Sequence, residues 1–514
     1  MKFLYLFICL TRIFVYICMM MTDAVTQQIE KFLGMMPTAE QEQAIVMFRQ
    51  FMASPDPHAV MILRGSAGTG KTTLASAIVR TLHRMRRKVV LLAPTGRAAK
   101  VFAINSGYEA FTIHRKIYRQ RSAAIDDHFN LNNNLQQDTL YFVDEASMIS
   151  NSGFGESVFG TGHLLDDLLQ YVYNGRNCRL VLLGDKAQLP PVGEAVSPAL
   201  IGTSLSRYGL QVYECDMNEV LRQHDDSGIL FNATRIRQLI THDEVTQLPM
   251  IRFQGFADIQ IVMGNDLVEQ LTNSYQRVGI DETMVIVRSN KRAIIYNQGI
   301  RGMILDREEE LSRGDLVMVV KNHYLSADEA PAVEEPEKVA EEALYENSPK
   351  TQIGSFIANG DRAEVVRVRN VRRLYGFRFA DVLLSFPDYD DYELQTVVNL
   401  DTLTAESPAL TREQQEFLYQ QVMEDYEDLS QKKERLKALR EDVYYNAVQV
   451  KYAYAITCHK AQGGQWEHIY LDQGYMSDEM LTPDYIHWLY TAFTRATEKL
   501  YLVNWPKTQI ENND

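Results

Sequence analysis

The stretch AVMILRGSAGTGKTTLASAIVRTL, Ala59–Leu82, decides the architecture. Its apolar run Ala59–Leu63 lacks the alternation of a half-buried strand and fits one covered on both faces of a parallel sheet. The next segment matches GxxxxGK[ST] at Gly65, Gly70, Lys71 and Thr72 and opens directly into a helical pattern. Strand, loop and helix in that order aim backbone N–H groups at phosphate oxygens beside a helix N-terminus. Gly65, Ala67, Gly68, Thr69, Gly70, Lys71, Thr72 and Thr73 are therefore expected to bind nucleotide, with Lys71 on the outer phosphates and the Thr72 hydroxyl on Mg²⁺. ATP and Mg²⁺ are the ligands this predicts.

Working outward, VVLLA at Val89–Ala93, LYFV at Leu140–Val143 and LVLL at Leu180–Leu183 read as further strands of the same α/β domain. MVIV at Met284–Val287, IYL at Ile469–Leu471 and LYLV at Leu500–Val503 predict a second one. It is interrupted from about residue 303 to 446, where RGDLVMVV and ANGDRAEVVRVRN alternate between turn signals, as in the short antiparallel strands of a small barrel. Inside the interruption, Ser326–Asn347 carries eight acidic residues, one lysine and two prolines and reads as a mobile loop. Residues 411–441 read as one or two helices with a solvated charged face.

A chain of 514 residues is long enough for three or four domains, each with its own core. Apolar residues at 46% and charged residues at 23% exclude general disorder. The net charge of -15 excludes a protein held to nucleic acid by overall positive charge. Five cysteines without a CxxC pair argue against a disulfide framework or a cysteine zinc site and for a reducing cytoplasm; Cys178 and Cys458 read as small buried hydrophobes. The first twenty residues are apolar but broken by Arg12, too short on either side to span a bilayer and without a small-residue cleavage site. Translation from near Met21 is the expectation for residues 1–21, ahead of an anchor or export signal.

A phosphate loop needs a carboxylate site for metal and water, and YFVDEAS supplies one at the end of an apolar run. Asp144 is expected to hold the Mg²⁺ shell and Glu145 to orient and deprotonate water. Arg222 in VLRQ and Arg495 in TAFTRAT, both outside the first domain, are candidates to meet the γ-phosphate, so that hydrolysis would sense domain closure. Between Arg80 and Arg121 eleven Lys or Arg face one acid, Glu109, a local excess that suits a phosphate backbone. Trp466 and Tyr454 could stack on bases, although their apolar neighbours favour core packing.

In chain order these segments resemble superfamily 1 DNA helicases of the RecD-like and Dda-like branch, which move 5′ to 3′. PTAEQEQAI resembles the adenine-reading motif, which implies a base contact for Gln41; GSAGTGKTT resembles motif I; APTGRAAK, with Pro94, Thr95, Gly96 and Ala98, resembles motif Ia. FTIHR, with Thr112 and His114, is similar to the neighbouring single-strand contact motif, and DEAS to motif II. GDKAQLPPVG resembles motif III, which implies that Gln188 couples the γ-phosphate to the strand surface. VLRQ, ITCHKAQGGQWE and YTAFTRA resemble motifs IV, V and VI, the fifth implying strand contacts at Thr457, His459 and Lys460 and a nucleotide contact at Gly463. Ala461 stands where the family usually has serine, which removes one hydroxyl contact. The resemblance also implies that residues 119–137 form a short pin that splits duplex, with Phe129 as its wedge.

The fold expected is α/β, with two RecA-like P-loop domains of parallel sheet, an SH3-like barrel inserted in the second and a pin in the first. The first domain would span 22–215, the second 216–302 and 447–510, and the barrel with its additions 303–446. The activity expected is ATP-dependent unwinding by a monomer acting on single-stranded DNA and its junctions with duplex, with no membrane partner. An RNA or dual-specificity helicase, and a nucleotide-gated loading protein that never unwinds, are the alternatives, because backbone contacts carry little information about the sugar.

Overall fold

The unalternating runs find cover on both sides. In β1 (Ala59–Gly65), Met61 and Leu63 face one apolar core while Val60 and Ile62 face another on the opposite side of the sheet. At roughly 1.5–3 kcal/mol for each fully buried aliphatic side chain, a strand loaded on both faces is held far more firmly than an alternating one. The structure, a computed structural model, describes residues 24–120, 129–153, 160–219, 227–241, 248–325, 356–477 and 480–511. The apolar start, the acidic stretch and Arg222 lie outside these.

The chain continues from β1 through β2 (Lys88–Ala93) and β3 (Ala110–Thr112) to a small antiparallel hairpin, β4 (Tyr118–Gln120) and β5 (Phe129–Leu131). It returns to the sheet with β6 (Thr139–Val143), β7 (Arg179–Gly184) and β8 (Gln211–Met217). The order is β3-β2-β6-β7-β1-β8, parallel throughout. Strand order reverses beside β1, so the loops after β1 and β6 open together at the carboxyl edge, where ligands bind open α/β sheets.

A second sheet begins with β9 (Ile259–Val262) and β10 (Thr283–Val287). The chain then leaves it for β11 (Leu316–Val319), a two-stranded ribbon of β12 (His323–Tyr324) and β13 (Phe356–Ile357), and the strands β14 (Arg362–Leu374), β15 (Phe377–Phe386), β16 (Tyr392–Asn399) and β17 (Val448–Tyr452). β11, β14, β15, β16 and β17 close into a barrel. β18 (Ala455–Thr457), β19 (Trp466–Asp472) and β20 (Ala496–Val503) complete the second sheet, in the order β18-β10-β19-β20-β9. Two parallel sheets with a small barrel inserted in the second is the fold class the sequence predicts.

One continuous core runs from the second sheet (Val285, Leu500) into the barrel (Val317, Val450); it also takes in Ala187 and Leu189 from the loop after β7. The helices Arg412–Glu424 and Lys432–Glu441 lay Leu418, Val422 and Leu439 on Phe377 and Phe379 outside the barrel, leaving their charged faces to solvent. Arg301 and Arg307 converge on the buried Asp315 at the barrel entrance and hold its carboxyl below the usual range despite burial. Among the described residues no helix is long and apolar enough to cross a membrane.

Candidate nucleotide site and strand track

The loop between β1 and the helix Lys71–Arg84 turns through Gly68 and Gly70 at φ 80° and 76°, the left-handed region where glycine avoids the Cβ penalty. A Cβ on Gly65 would stand 2.7 Å from the Thr69 hydroxyl, so the tight start of the loop also needs glycine. The helix has no side-chain cap and no acid in its first turn, and the buried Ser66 hydroxyl has no protein partner. Those free donors fit phosphate oxygens. Lys71 Nζ donates to the Gly65 carbonyl at 3.2 Å, folded back over the loop.

The carboxylates follow β6. Thr72 donates its hydroxyl to Asp144 Oδ2 at 3.3 Å, so the two expected Mg²⁺ ligands already face each other. Burial, then the neighbouring Glu145, push the Asp144 carboxyl up to about 6 against the pull of Lys71, an environment that favours a bound cation. Glu145 sits at φ 52°, an uncommon conformation for a non-glycine residue, where the chain turns from β6 into the short helix Ala146–Met148.

Arg495 comes from the other sheet. Its guanidinium, 2% exposed, donates to the Thr491 carbonyl (3.0 Å), the Gly464 carbonyl (3.2 Å) and the Thr494 hydroxyl (3.1 Å), and one nitrogen stands 4.0 Å from Glu145 Oε1. With its amide nitrogen turned to the carboxylate, Gln188 donates to Glu145 Oε2 at 3.3 Å and accepts from Arg495 at 3.2 Å. Nearby, Thr491 accepts from Leu189 N–H at 2.7 Å, and Gln462 donates to the Leu189 carbonyl at 2.6 Å. Lys71, Thr72, Asp144, Glu145, Gln188 and Arg495 are thus assembled at one cleft between the sheets.

Gln41 is fully buried on the helix Ala39–Ala53, in a capping box with Thr38, and donates to the Thr69 carbonyl at 3.2 Å. Its amide is therefore tied to the phosphate loop, and any base contact has to use what valence remains. Gly463, expected at the nucleotide, lies instead against Thr95 and Ala98: a Cβ there would stand 3.1 and 3.2 Å from them.

The expected strand contacts lie at the carboxyl ends of β2, β3 and β18. Pro94 leads into Thr95, which caps the helix Gly96–Ser106 by accepting from Ala98 N–H. Thr112 likewise caps Ile113–Ile117. His114 lies 5.7 Å from the Tyr118 ring, centroid to centroid, and burial pushes its imidazole down to about 4, so it is neutral near pH 7. Thr457, Lys460 and Lys451 line a small cleft between the second sheet and the barrel, with His459 exposed beside it. Burial holds both lysines down to about 8, and Lys451 adds repulsion at Lys460.

Two aromatic expectations separate. Phe129, proposed as a wedge, is 3% exposed and packs in the core beneath the first sheet, because the hairpin folds its base against the sheet; the tip, 121–128, lies outside the described residues. Trp466 is buried with the Arg97 guanidinium 4.6 Å from its ring centroid, and Tyr454 donates to Asp315, so both are packing residues.

The structure adds contacts that the motifs did not suggest. Lys100 Nζ donates to the Pro387 carbonyl of the barrel at 2.5 Å and lies 3.6 Å from Asp388, while a Cβ on Gly96 would strike the Tyr389 hydroxyl and Asp361. Tyr490 accepts from Ala67 N–H in the phosphate loop. It lies within the quoted YTAFTRA, where the arginine alone drew attention.

A sequence model described as an AAA domain matches residues 38–246, and one described as a UvrD-like helicase C-terminal domain matches 452–503. The ATP-dependent DNA helicase dda of Enterobacteria phage T4 is 26% identical over 266 residues, 50% of this chain and 55% of that protein. The ATP-dependent RecD2 DNA helicase of Deinococcus radiodurans is 32% identical over 135 residues, 26% of this chain and 16% of that one. This chain therefore spans about half of the phage protein and less of RecD2. A solved Pif1 helicase from Bacteroides, in complex with ADP-AlF3 and ssDNA, aligns with 93% of this chain and 95% of its own at 15% identity and a TM-score of 0.45, too loose an overlap to argue from. The two sequence models fall on the first and second sheets in chain order, and the chain is similar over part of its length to two ATP-dependent DNA helicases, dda and RecD2.

Proposed function

We propose that this protein is an ATP-dependent DNA helicase that moves 5′ to 3′ along single-stranded DNA and unwinds duplex at junctions. The observation that carries the reading is the Glu145, Gln188 and Arg495 chain across the cleft: a carboxylate from one sheet and an arginine from the other meet through one amide. Lys71 and the amides of Gly68–Thr72 hold the phosphates, and Thr72 and Asp144 hold Mg²⁺, which supplies charge neutralisation on the phosphate oxygens when bound. Glu145 takes the proton of the attacking water. Arg495 is held by carbonyl and hydroxyl oxygens rather than by a hydrogen-bonded carboxylate, so its charge is free to meet the departing phosphate.

Because Arg495 reaches that phosphate only with the domains together, turnover is tied to closure, and closure moves the strand contacts near Thr95 and Thr112 relative to those near Thr457 and Lys460. Alternating grip on one strand turns the cycle into stepping by a single copy of the chain. Strand displacement on duplexes with a 5′ or a 3′ single-stranded tail tests this. Unwinding from the 5′ tail alone is expected; unwinding only from the 3′ tail would overturn the polarity, and none from either would favour a nucleotide-gated loading protein. Stimulation of hydrolysis by RNA as strongly as by DNA would move the protein to the dual-specificity class.

A further inference from the structure

Tyr490, on the helix Pro483–Phe493 of the second domain, is 1% exposed. Its hydroxyl accepts from Ala67 N–H at 3.1 Å and donates to Asp185 Oδ2 at 2.5 Å. Ala67 belongs to the phosphate loop and Asp185 to the loop after β7, so one oxygen joins two catalytic segments of the first domain to the second. Asp185 is 1% exposed, and its other oxygen accepts from Ala187 N–H at 2.9 Å.

A phenol has a single proton. Giving it to a carboxylate makes a charge-assisted bond and turns the oxygen lone pairs toward Ala67 N–H, which fixes the direction of that amide. Oδ2 of the buried carboxylate keeps this hydrogen bond only while the phenol is there; with the domains apart, that oxygen and the Ala67 amide must turn to water. His487 and Thr491, on the same helix, reach Ala187 and Leu189 but hold the loop after β7 rather than the phosphate loop.

We propose that Tyr490 is a positioning residue through which closure of the second domain sets the conformation of the phosphate loop. The inference rests on the helicase reading above and assigns Tyr490 and Asp185 a task beside that of Arg495. Closure pins Ala67, and the amides that follow it are then presented to the phosphates in one orientation. Loss of the hydroxyl leaves nucleotide able to bind and weakens the step that needs closure.

The test is steady-state ATP hydrolysis by the full chain with and without a single-stranded DNA oligonucleotide. Tyr490→Phe keeps the ring and removes the hydroxyl. It should lower the DNA-stimulated kcat at least fivefold, leave the KM for ATP within twofold and leave the melting temperature within a few degrees. Asp185→Asn should act in the same direction, and the double variant should be no worse than the worse single one. Unchanged stimulation in Y490F, or losses that multiply in the double variant, would overturn the inference. If Y490F does not fold, D185N decides alone: a reduced kcat at constant KM supports the coupling and an unchanged kcat overturns it. A parent protein without DNA-stimulated hydrolysis sinks the helicase reading and this inference together, whereas a stimulated parent with an unaffected Y490F sinks only the latter.

Discussion

Arg495 stands 4.0 Å from the carboxylate of Glu145, each on a different sheet, with the buried Gln188 amide beside them. The pair makes no direct hydrogen bond; the Gln188 amide joins the two, donating to Glu145 Oε2 at 3.3 Å and accepting from Arg495 at 3.2 Å.

Removing the arginine should therefore separate binding from chemistry. Arg495→Ala is expected to keep ATP affinity within a few-fold while hydrolysis falls about 10³-fold or more, the scale of arginine fingers in phosphoryl transfer. Fluorescent-nucleotide titration and single-turnover hydrolysis measure the two quantities, and near-parental turnover would take Arg495 out of the catalytic assembly.

Lys71→Ala should abolish hydrolysis and unwinding while much of the DNA affinity remains, because the lysine folds over the phosphate loop and away from the strand contacts. Glu145→Gln should bind ATP and hydrolyse it at least about 10²-fold more slowly, as expected for loss of a general base. Filter binding and phosphate release read both; unchanged release in E145Q would remove Glu145 from that role.

Asp361 gives a pH dependence of stability. Burial, then the nearby Asp388, push its carboxyl up from 3.8 to about 7, even though the Tyr389 hydroxyl and Ala358 N–H donate to it. The folded state thus binds the proton more tightly than the unfolded state between pH 4 and 7, and stability falls as pH rises through that window. Asp361→Asn should raise the melting temperature most at pH 8 and hardly at all near pH 4. An equal effect at both pH values would contradict the assignment.

The lysines of the cleft beside Thr457 predict a second pH effect. Lys451 and Lys460 lose their charge near pH 8 in the free protein, and a phosphodiester binds only the charged forms. Single-strand affinity, measured by fluorescence anisotropy, should fall several-fold between pH 7 and 9, and Lys460→Gln should be weaker at pH 7 and flatter across the range. An equally steep profile in K460Q would place the strand elsewhere.

What the chain order revealed was local chemistry. Gly65 to Thr72 could be read because strand, turn and helix are consecutive, and the two-sided burial of β1 follows from its missing alternation. Side and depth were less legible. Phe129 looks like a loop aromatic until the hairpin folds it under the sheet, and nothing in FTIHR shows that burial keeps the His114 imidazole neutral. Gly463 was assigned to nucleotide by its motif, yet the turn that contains it closes against Thr95. Tyr490 and Lys100 owe their partners, Ala67 and Pro387, to segments hundreds of residues away, and nothing in either neighbourhood encodes which surface the other domain or the barrel will present.

The bridge from Lys100 to Pro387 and Asp388 completes a circuit. The first lobe touches the barrel there, the barrel is fused to the second lobe through a shared core, and Tyr490 and Arg495 return to the first lobe. A polymer enclosed by such a loop can slide but cannot step sideways; it escapes at a free end or when one link parts. Covalently closed single-stranded circles, which have no end, would make the breathing of this weakest link directly measurable as a loading rate.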